Sequence, residues 1–311
     1  MAMLNIIRKI RGVLQSSYWN IGFVEEDIKE VLNSDHLHIH WLHHPYKDRW
    51  FADPFFLRVD DTHIVLLAEE FCYASKKGRI AKLVIKREGY LLEEMKIILE
   101  LPSHLSFPFI FRKDDDILMI PESSKSGQTT VYAYDEQTDE VKEVSVLCHL
   151  PLTDAILIKM ADDRHYILST KEPTQNKNHL QVYSVDTDNW KMDEEPIQDI
   201  CFESNIARNA GNVFVIDGVM YRPSQDCNKG YGRGVVIQQM NYADGQFSLK
   251  SVRTFFSDIP TFDMGYHTFN NMNGLIVVDA HGHRYQMANQ VVTILLKLYR
   301  SVVKGGKTAK K

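Results

Sequence analysis

The chain has 311 residues, 44% hydrophobic and 25% charged, a balance that excludes a disordered or fibrous protein. Its four cysteines, Cys72, Cys148, Cys201 and Cys227, form no CxxC pair, so neither a zinc knuckle nor a disulfide framework is indicated. No apolar run approaches the roughly 20 residues that span a bilayer, and the net charge of −5 hides two ends (residues 1–20 and 289–311) that carry nine cations and no acid.

The first predicted element is a helix within residues 1–20, where Met3, Ile6, Ile7, Ile10, Val13 and Leu14 share one face. This segment has neither the continuous apolar core nor the cleavage site of a secretory signal, so a cytoplasmic chain is expected. The next run, LHIHWLHH (37–44), reads as a strand. His36, His38 and His40 share one of its faces, but no carboxylate or cysteine of matching spacing joins them. A solvated face is expected there, with no metal and no organic cofactor.

From residue 52 the chain repeats one grammar: an apolar strand, a turn of acids or glycine, a second apolar strand and a polar end. The copies are ADPFFLRVDDTHIVLLAEEF (52–71), SFPFIFRKDDDILMIPESS (106–124), TDAILIKMADDRHYILSTKEP (153–173), RNAGNVFVIDGVMYRPSQDC (208–227) and YHTFNNMNGLIVVDAHGHRY (266–285). Their starts lie roughly 50 residues apart, the period of propeller blades. The first four are followed by further strand-like runs, such as GRIAKLVIK (78–86) and HLQVYSVD (179–186), giving about four strands per unit. The fifth lacks outer strands, and the early run 37–44 is expected to complete it. The predicted fold is all-β: a five-bladed propeller over 21–288 with an amphipathic helix at each end. The C-terminal helix has Val291, Val292, Leu295, Leu298, Tyr299 and Val302 on one face and Thr293, Lys297, Arg300 and Lys304 opposite. Basic amphipathic helices suit an anionic membrane surface, which becomes a candidate partner. The acidic body argues against nucleic acid.

The repeat explains two tempting motifs. Asp114-Asp115-Asp116 occupies the place of Asp60-Asp61, Asp162-Asp163, Asp217-Gly218 and Asn273-Gly274, where hairpin turns favour Asp, Asn and Gly. Gly230, Gly232 and Gly234 lack the strand-to-helix setting of a phosphate loop.

The first strand of each blade should line the channel, and its opening residues vary in a polar way: Asp53, Pro108 after Phe107, Asp154, Arg208 with Asn209, and Tyr266 with His267. A second ring lies at the ends of the next strands: Glu69 and Glu70, Glu122, Lys171 and Glu172, Gln225 and Asp226, Asp279 and His281, with Arg222 close by in MYRPSQDC. Asp53, Glu122 and Asp154 are the candidate catalytic residues. Trp50, Glu70, Arg208, Arg222, Gln225, Asp226, Tyr231, His267 and His281 are candidates for substrate binding. Trp50, Phe51, Phe107 and Tyr231 could offer flat apolar faces to sugar rings, and two carboxyls across such a site can divide the cleavage of a glycosidic bond.

WFADPFF, LSFPFIF, MIPESS, YRPSQDC and GYHTFN…VVDAHG together resemble the propeller domain at the N-terminus of plant glucosamine inositolphosphorylceramide transferases and in bacterial stand-alone relatives. That domain is similar to the propellers of the glycoside hydrolase family 43 and 32 superfamily. The resemblance covers roughly residues 18–285 and implies carbohydrate chemistry. It gives Asp53 the role of base and Asp154 that of tuning the acid's pKa, with Glu122 as the candidate acid. Three functions follow as expectations. The first is glycosyl transfer in surface glycan or glycolipid synthesis at the cytoplasmic membrane face, with a sugar, nucleotide-sugar or lipid-linked glycan as partner. The second is a glycoside hydrolase, and the third a non-catalytic sugar-binding partner of a transferase.

Overall fold

The computed structural model describes residues 17–285. The elements run, in chain order, β1 (Ser17–Val24), α1 (Ile28–Asn33), β2 (His40–Trp41), β3 (Arg49–Val59), β4 (His63–Cys72), β5 (Lys77–Lys86), β6 (Leu91–Leu99), β7 (Ser106–Lys113), β8 (Asp116–Glu122), β9 (Thr129–Asp135), β10 (Glu140–Cys148), β11 (Leu152–Lys159), β12 (His165–Lys171), β13 (His179–Asp186), β14 (Lys191–Met192), β15 (Gln198–Cys201), β16 (Phe214–Ile216), β17 (Val219–Asp226), β18 (Gly234–Ala243), β19 (Gln246–Phe256), β20 (Gly265–Met272) and β21 (Leu275–His283). They form five sheets: β3 to β6, β7 to β10, β11 to β15, β16 to β19, and a last one ordered β2-β1-β21-β20. These are the five expected blades.

The ring closes through β1, which pairs antiparallel with β21 from Ser17↔His283 to Val24↔Ile276. The expected closing run, residues 37–44, supplies only the short outer strand β2, paired as Gly22↔Trp41 and Phe23↔His40. The reason is burial: Trp19 to Val24 are all buried, as a strand between two blades must be, whereas in the run 37–44 only Leu37 and Leu42 are buried. His36 and His38 lie in a loop and meet Asp258 and Glu26. Residues 17–20, read above as part of a helix, belong to β1. The remainder of that predicted helix and the C-terminal one lie outside the described residues.

The core sits between blades. One apolar cluster joins the first blade to the second and third through Phe55, Phe107, Ile120, Ile156 and Leu168. A second packs the fifth blade on the first through Phe23, Phe51 and Leu66. Phe51 and Phe107 are therefore fully buried packing residues and offer no face to a ligand. The hairpin acids do behave as turn residues. Asp114, Asp163, Asp217 and Asn273 have φ between 50° and 62°, and Asp60 accepts the N–H groups of Thr62 and His63.

Candidate functional site

The inner strands share a local distortion. Pairing slips by a bulge after Ala52, Ser106, Thr153 and Tyr266. The residue that follows adopts a left-handed backbone in three blades: Asp53 (φ 49°), Phe107 (φ 42°) and Asp154 (φ 48°). Such a bulge re-aims a side chain. It also corrects the expected register of the second blade, where Phe107 stands at the opening position and Pro108 matches Pro54.

Two polar groupings result. In the first, Asp279 orients the fifth blade's opening. Its Oδ1 accepts the His267 N–H (3.2 Å), the Thr268 N–H (2.9 Å) and His267 Nδ1–H (2.7 Å). Its Oδ2 accepts the Asp53 N–H at 2.8 Å. Asp53 in turn accepts the Phe107 N–H (3.0 Å) and the Thr268 hydroxyl (2.8 Å), while His267 Nε2 stands 3.6 Å from its Oδ1. Burial works against charge on Asp279, but His267 and these N–H donors outweigh it and hold its pKa low. Burial opposes the imidazolium of His267 too, yet Asp279 and Asp53 raise its pKa overall. Asp53 is pushed up to about 6 by burial, against the pull of His267. One ligand atom each from Asp53, His267 and Asp279 lies within 4.8 Å of the others, close enough to hold a metal ion, although these atoms already bond one another.

The second grouping is built on Arg208, whose Nε donates to Asp154 (2.6 Å) and Nη2 to Glu122 (3.1 Å). Gln225 Nε2 donates to Asp154 as well, at 2.8 Å. The Tyr231 ring lies over the guanidinium, 4.8 Å away. Burial and the neighbouring Asp154 raise Glu122 well above the ordinary carboxylate range, against Arg208.

Beside these groups opens a cleft of about 410 Å³, lined by Ser17, Trp19, Trp50, Glu69, Phe71, Tyr73, His104, Tyr231 and His267. Trp19 is stacked between His267 (4.0 Å) and His281 (4.2 Å), and Trp50 stacks on Phe71. Burial, followed by the charges of Asp53 and Glu122, raises Glu69 well above its ordinary value.

Asp53, Glu122, Asp154, Arg208, Gln225, Tyr231 and His267 thus gather at one end of the channel, with Trp50 on the cleft wall. Four expected ligand contacts are engaged elsewhere. Glu70 is fully buried between Arg49 and Arg79 (both 3.0 Å), on the opposite face of β4 from Glu69. Arg222 is spent on Asn209, Gln238 and the Ala207 carbonyl, with no acid among these partners, and burial lowers it to about 9. Asp226 caps the Asn228 N–H and borders a separate cavity. His281 is a stacking partner whose buried ring nitrogens make no hydrogen bond and whose pKa burial lowers to about 3. Glu69, not the expected Glu70, faces the cleft, which Trp19 and His104 also line and beside which Asp279 orients Asp53, roles with no local signal in the sequence. In the structure Glu69 pairs with Ala52 as Glu122 pairs with Ser106.

The family model for the N-terminal region of glucosamine inositolphosphorylceramide transferase 1 matches residues 41–257. The chain belongs to that family. Glucosamine inositolphosphorylceramide transferase 1 of Oryza sativa subsp. japonica is 28% identical over 201 residues, 63% of this chain and 27% of the relative. That of Arabidopsis thaliana is 30% identical over 196 residues, 61% of this chain and 25% of the relative. The chain thus spans about a quarter of the length of the curated relatives it matches. Among solved structures, the GH43_1 enzyme of Xanthomonas citri complexed with xylotriose aligns over 76% of this chain and 88% of that one (TM-score 0.53, 10% identity). RS223-β-xylosidase aligns over 75% and 92% (TM-score 0.52, 9% identity). These two likenesses establish the propeller fold.

Proposed function

We propose that this protein is a glycosyl-transferring enzyme whose chemistry takes place at the end of the channel where Asp53 and Asp154 converge. One observation carries the reading: five buried or nearly buried carboxyls (Asp53, Glu69, Glu122, Asp154, Asp279) face two cations, Arg208 and His267. Such a cluster cannot hold five negative charges out of water, so some members keep protons at neutral pH. Protonated and ionised carboxyls then coexist beside an aromatic cleft, the combination that glycosidic-bond chemistry needs.

Asp53, with a pKa of about 6, is ionised at pH 7 yet more basic than an ordinary aspartate, suiting it to accept the proton of an attacking hydroxyl. The Phe107 N–H and the Thr268 hydroxyl fix its position, with His267 beside it. Arg208 clamps Asp154 against Glu122 and sets the charge opposite. Trp50 and Tyr231 provide apolar faces for sugar rings. The transferase name of the family's relatives supports transfer to a glycan or glycolipid acceptor over transfer to water. A membrane-linked acceptor agrees with the basic ends, because Ser17 and its register partner His283 place both exits from the ring side by side and Ser17 lines the cleft. The accompanying proposal is a cytoplasmic protein docked on anionic lipid.

The test is incubation with a panel of aryl glycosides and nucleotide-sugars, with and without oligosaccharide acceptors. The expected result is a transfer product that disappears in Asp53→Asn. Absence of turnover and of thermal stabilisation by any sugar would overturn the reading, and release of free sugar alone would replace transfer by hydrolysis. Flotation with anionic liposomes, with and without residues 289–311, tests the docking; equal recovery would remove it.

A further inference from the structure

Two buried polar atoms on the cleft wall have no hydrogen-bond partner: Glu69 Oε1 and Trp50 Nε1. Buried polar groups are nearly always paired, so two orphans on one wall of an aromatic cleft mark a place where a ligand's oxygen completes the set. The surroundings of Glu69 look built for this. His104 Nδ1 accepts the Gly78 N–H at 2.9 Å. In the neutral imidazole that bond puts the ring proton on Nε2, and Nε2 stands 3.3 Å from Glu69 Oε1, close but not aligned for a hydrogen bond. Burial keeps this imidazole neutral by lowering its pKa. Residue 78 must be glycine for the pair to meet: a Cβ there would lie 2.4 Å from the Leu105 carbonyl oxygen, 2.5 Å from Glu69 Oε1 and 2.6 Å from the His104 ring.

Glu122 is differently placed. Its Oε2 accepts Arg208 Nη2 and its Oε1 accepts the Ser124 hydroxyl at 3.1 Å. A carboxyl with both oxygens engaged, one of them by a guanidinium, is poorly set to give up a proton.

We infer that Glu69, positioned by His104, is the residue that protonates the departing glycosidic oxygen, and that Glu122 is not. The inference rests on the glycosidic-bond reading above and adds the identity of the donor. As the bond from the anomeric carbon to the leaving oxygen breaks, that oxygen takes the Glu69 proton. The acceptor hydroxyl's oxygen forms the new bond to the anomeric carbon, and its proton passes to Asp53. One proton has left Glu69 and one has reached Asp53, and exchange with solvent restores both. Trp50 Nε1–H is free to donate to a sugar hydroxyl beside the reacting centre. Glu69 is then a catalytic residue and His104 a positioning residue.

The experiment compares wild type, Glu69→Gln and Glu122→Gln on phenyl and 2,4-dinitrophenyl glycosides of the sugar the wild type turns over. A general acid contributes about 10²–10⁴-fold and is dispensable for a leaving group that departs unprotonated. Glu69→Gln is therefore expected to lose about 100-fold or more on the phenyl glycoside and under about tenfold on the dinitrophenyl one. Equal losses on both, or a leaving-group-selective loss in Glu122→Gln instead, would overturn the assignment while leaving the glycosidic-bond reading intact. A wild type inert on every glycoside and every nucleotide-sugar would sink that reading and the assignment with it. Difference infrared spectra at pH 7 give a substrate-free check. The part of the protonated-carboxyl band contributed by Glu69 should be lost in Glu69→Gln and move in His104→Gln; a spectrum unchanged by Glu69→Gln overturns the inference.

Discussion

Replacing Asp53 by asparagine should make the protein more stable and inactive at once. The side chain is only 4% exposed, and burial, opposed by His267 and reinforced by Asp279 and Asp154, raises its pKa from 3.8 to about 6. The sign follows from where the proton is held. Well below pH 4 the carboxyl is protonated in both the folded and unfolded chain and contributes no difference. Above pH 6 it is ionised in both, and the folded state carries the penalty of a buried charge, about 3 kcal/mol for a displacement of that size. Asparagine cannot ionise and preserves the local bonding: its oxygen can accept the Phe107 N–H and its amide can donate to Thr268 Oγ1, the two partners Asp53 now has. Each kcal/mol moves the melting temperature of a domain of 150–250 residues by roughly 2–4 °C, so a rise of up to about 10 °C at pH 8 is expected, fading towards pH 4 and below. Thermal melts of both proteins from pH 4 to 8 measure it. A variant that melts at or below the wild-type temperature at pH 8, or gains equally at pH 4 and pH 8, would refute the reasoning.

Arg208→Met leaves Asp154 and Glu122 buried without their cation and should lose about 3–5 kcal/mol at pH 8. Without Arg208, which holds it down against burial, Glu122 binds its proton more tightly when folded, so the loss should shrink at pH 5 in the same melts. Arg222→Met strands Asn209 and Gln238 and is expected to destabilise by about 2–4 kcal/mol, with the KM of any glycoside substrate unchanged in protein that folds. Gly78→Ala pushes a methyl group against Glu69 and His104; urea unfolding should register a loss of about 1–3 kcal/mol. Trp19→Ala removes the ring held between His267 and His281 and should lower stability by about 3–5 kcal/mol while weakening oligosaccharide binding, as followed by calorimetry.

The blade repeat was legible because each unit recurs with its hairpin acids in place, and turn chemistry is local. Closure was legible in kind but assigned to the wrong segment, since a strand buried on both faces, such as SYWNIGFV, shows no alternation to distinguish it. The same blindness exchanged Glu69 for Glu70. In HIVLLAEEFC seven consecutive residues from Ile64 are buried, so the pattern does not tell which glutamate faces the channel. A second slip in pairing, between Phe56 and Arg58, defeats counting from Ala52. Asp53, Asp154 and Arg208 stood out because opening residues that serve packing alone would be alike from blade to blade. Phe107, the apolar member of that set, forms part of the core between blades. Arg222 was misread for lack of a signal: its partners are two amide side chains and a carbonyl, and pairing with amides leaves no charge pattern in a sequence.

The junction between β1 and β21 also sets an order of assembly. The strand that seals the ring is among the earliest parts of the propeller to leave the ribosome, and its partner is the last strand of the ring. Until the β20–β21 hairpin arrives, Asp53 lacks the carboxylate that caps its N–H, and Trp19 lacks both imidazoles between which it stacks. An unfinished chain therefore cannot present the aligned carboxylate, and a proteolytic cut that freed β1 would dismantle the site before it disturbed the second or third blade.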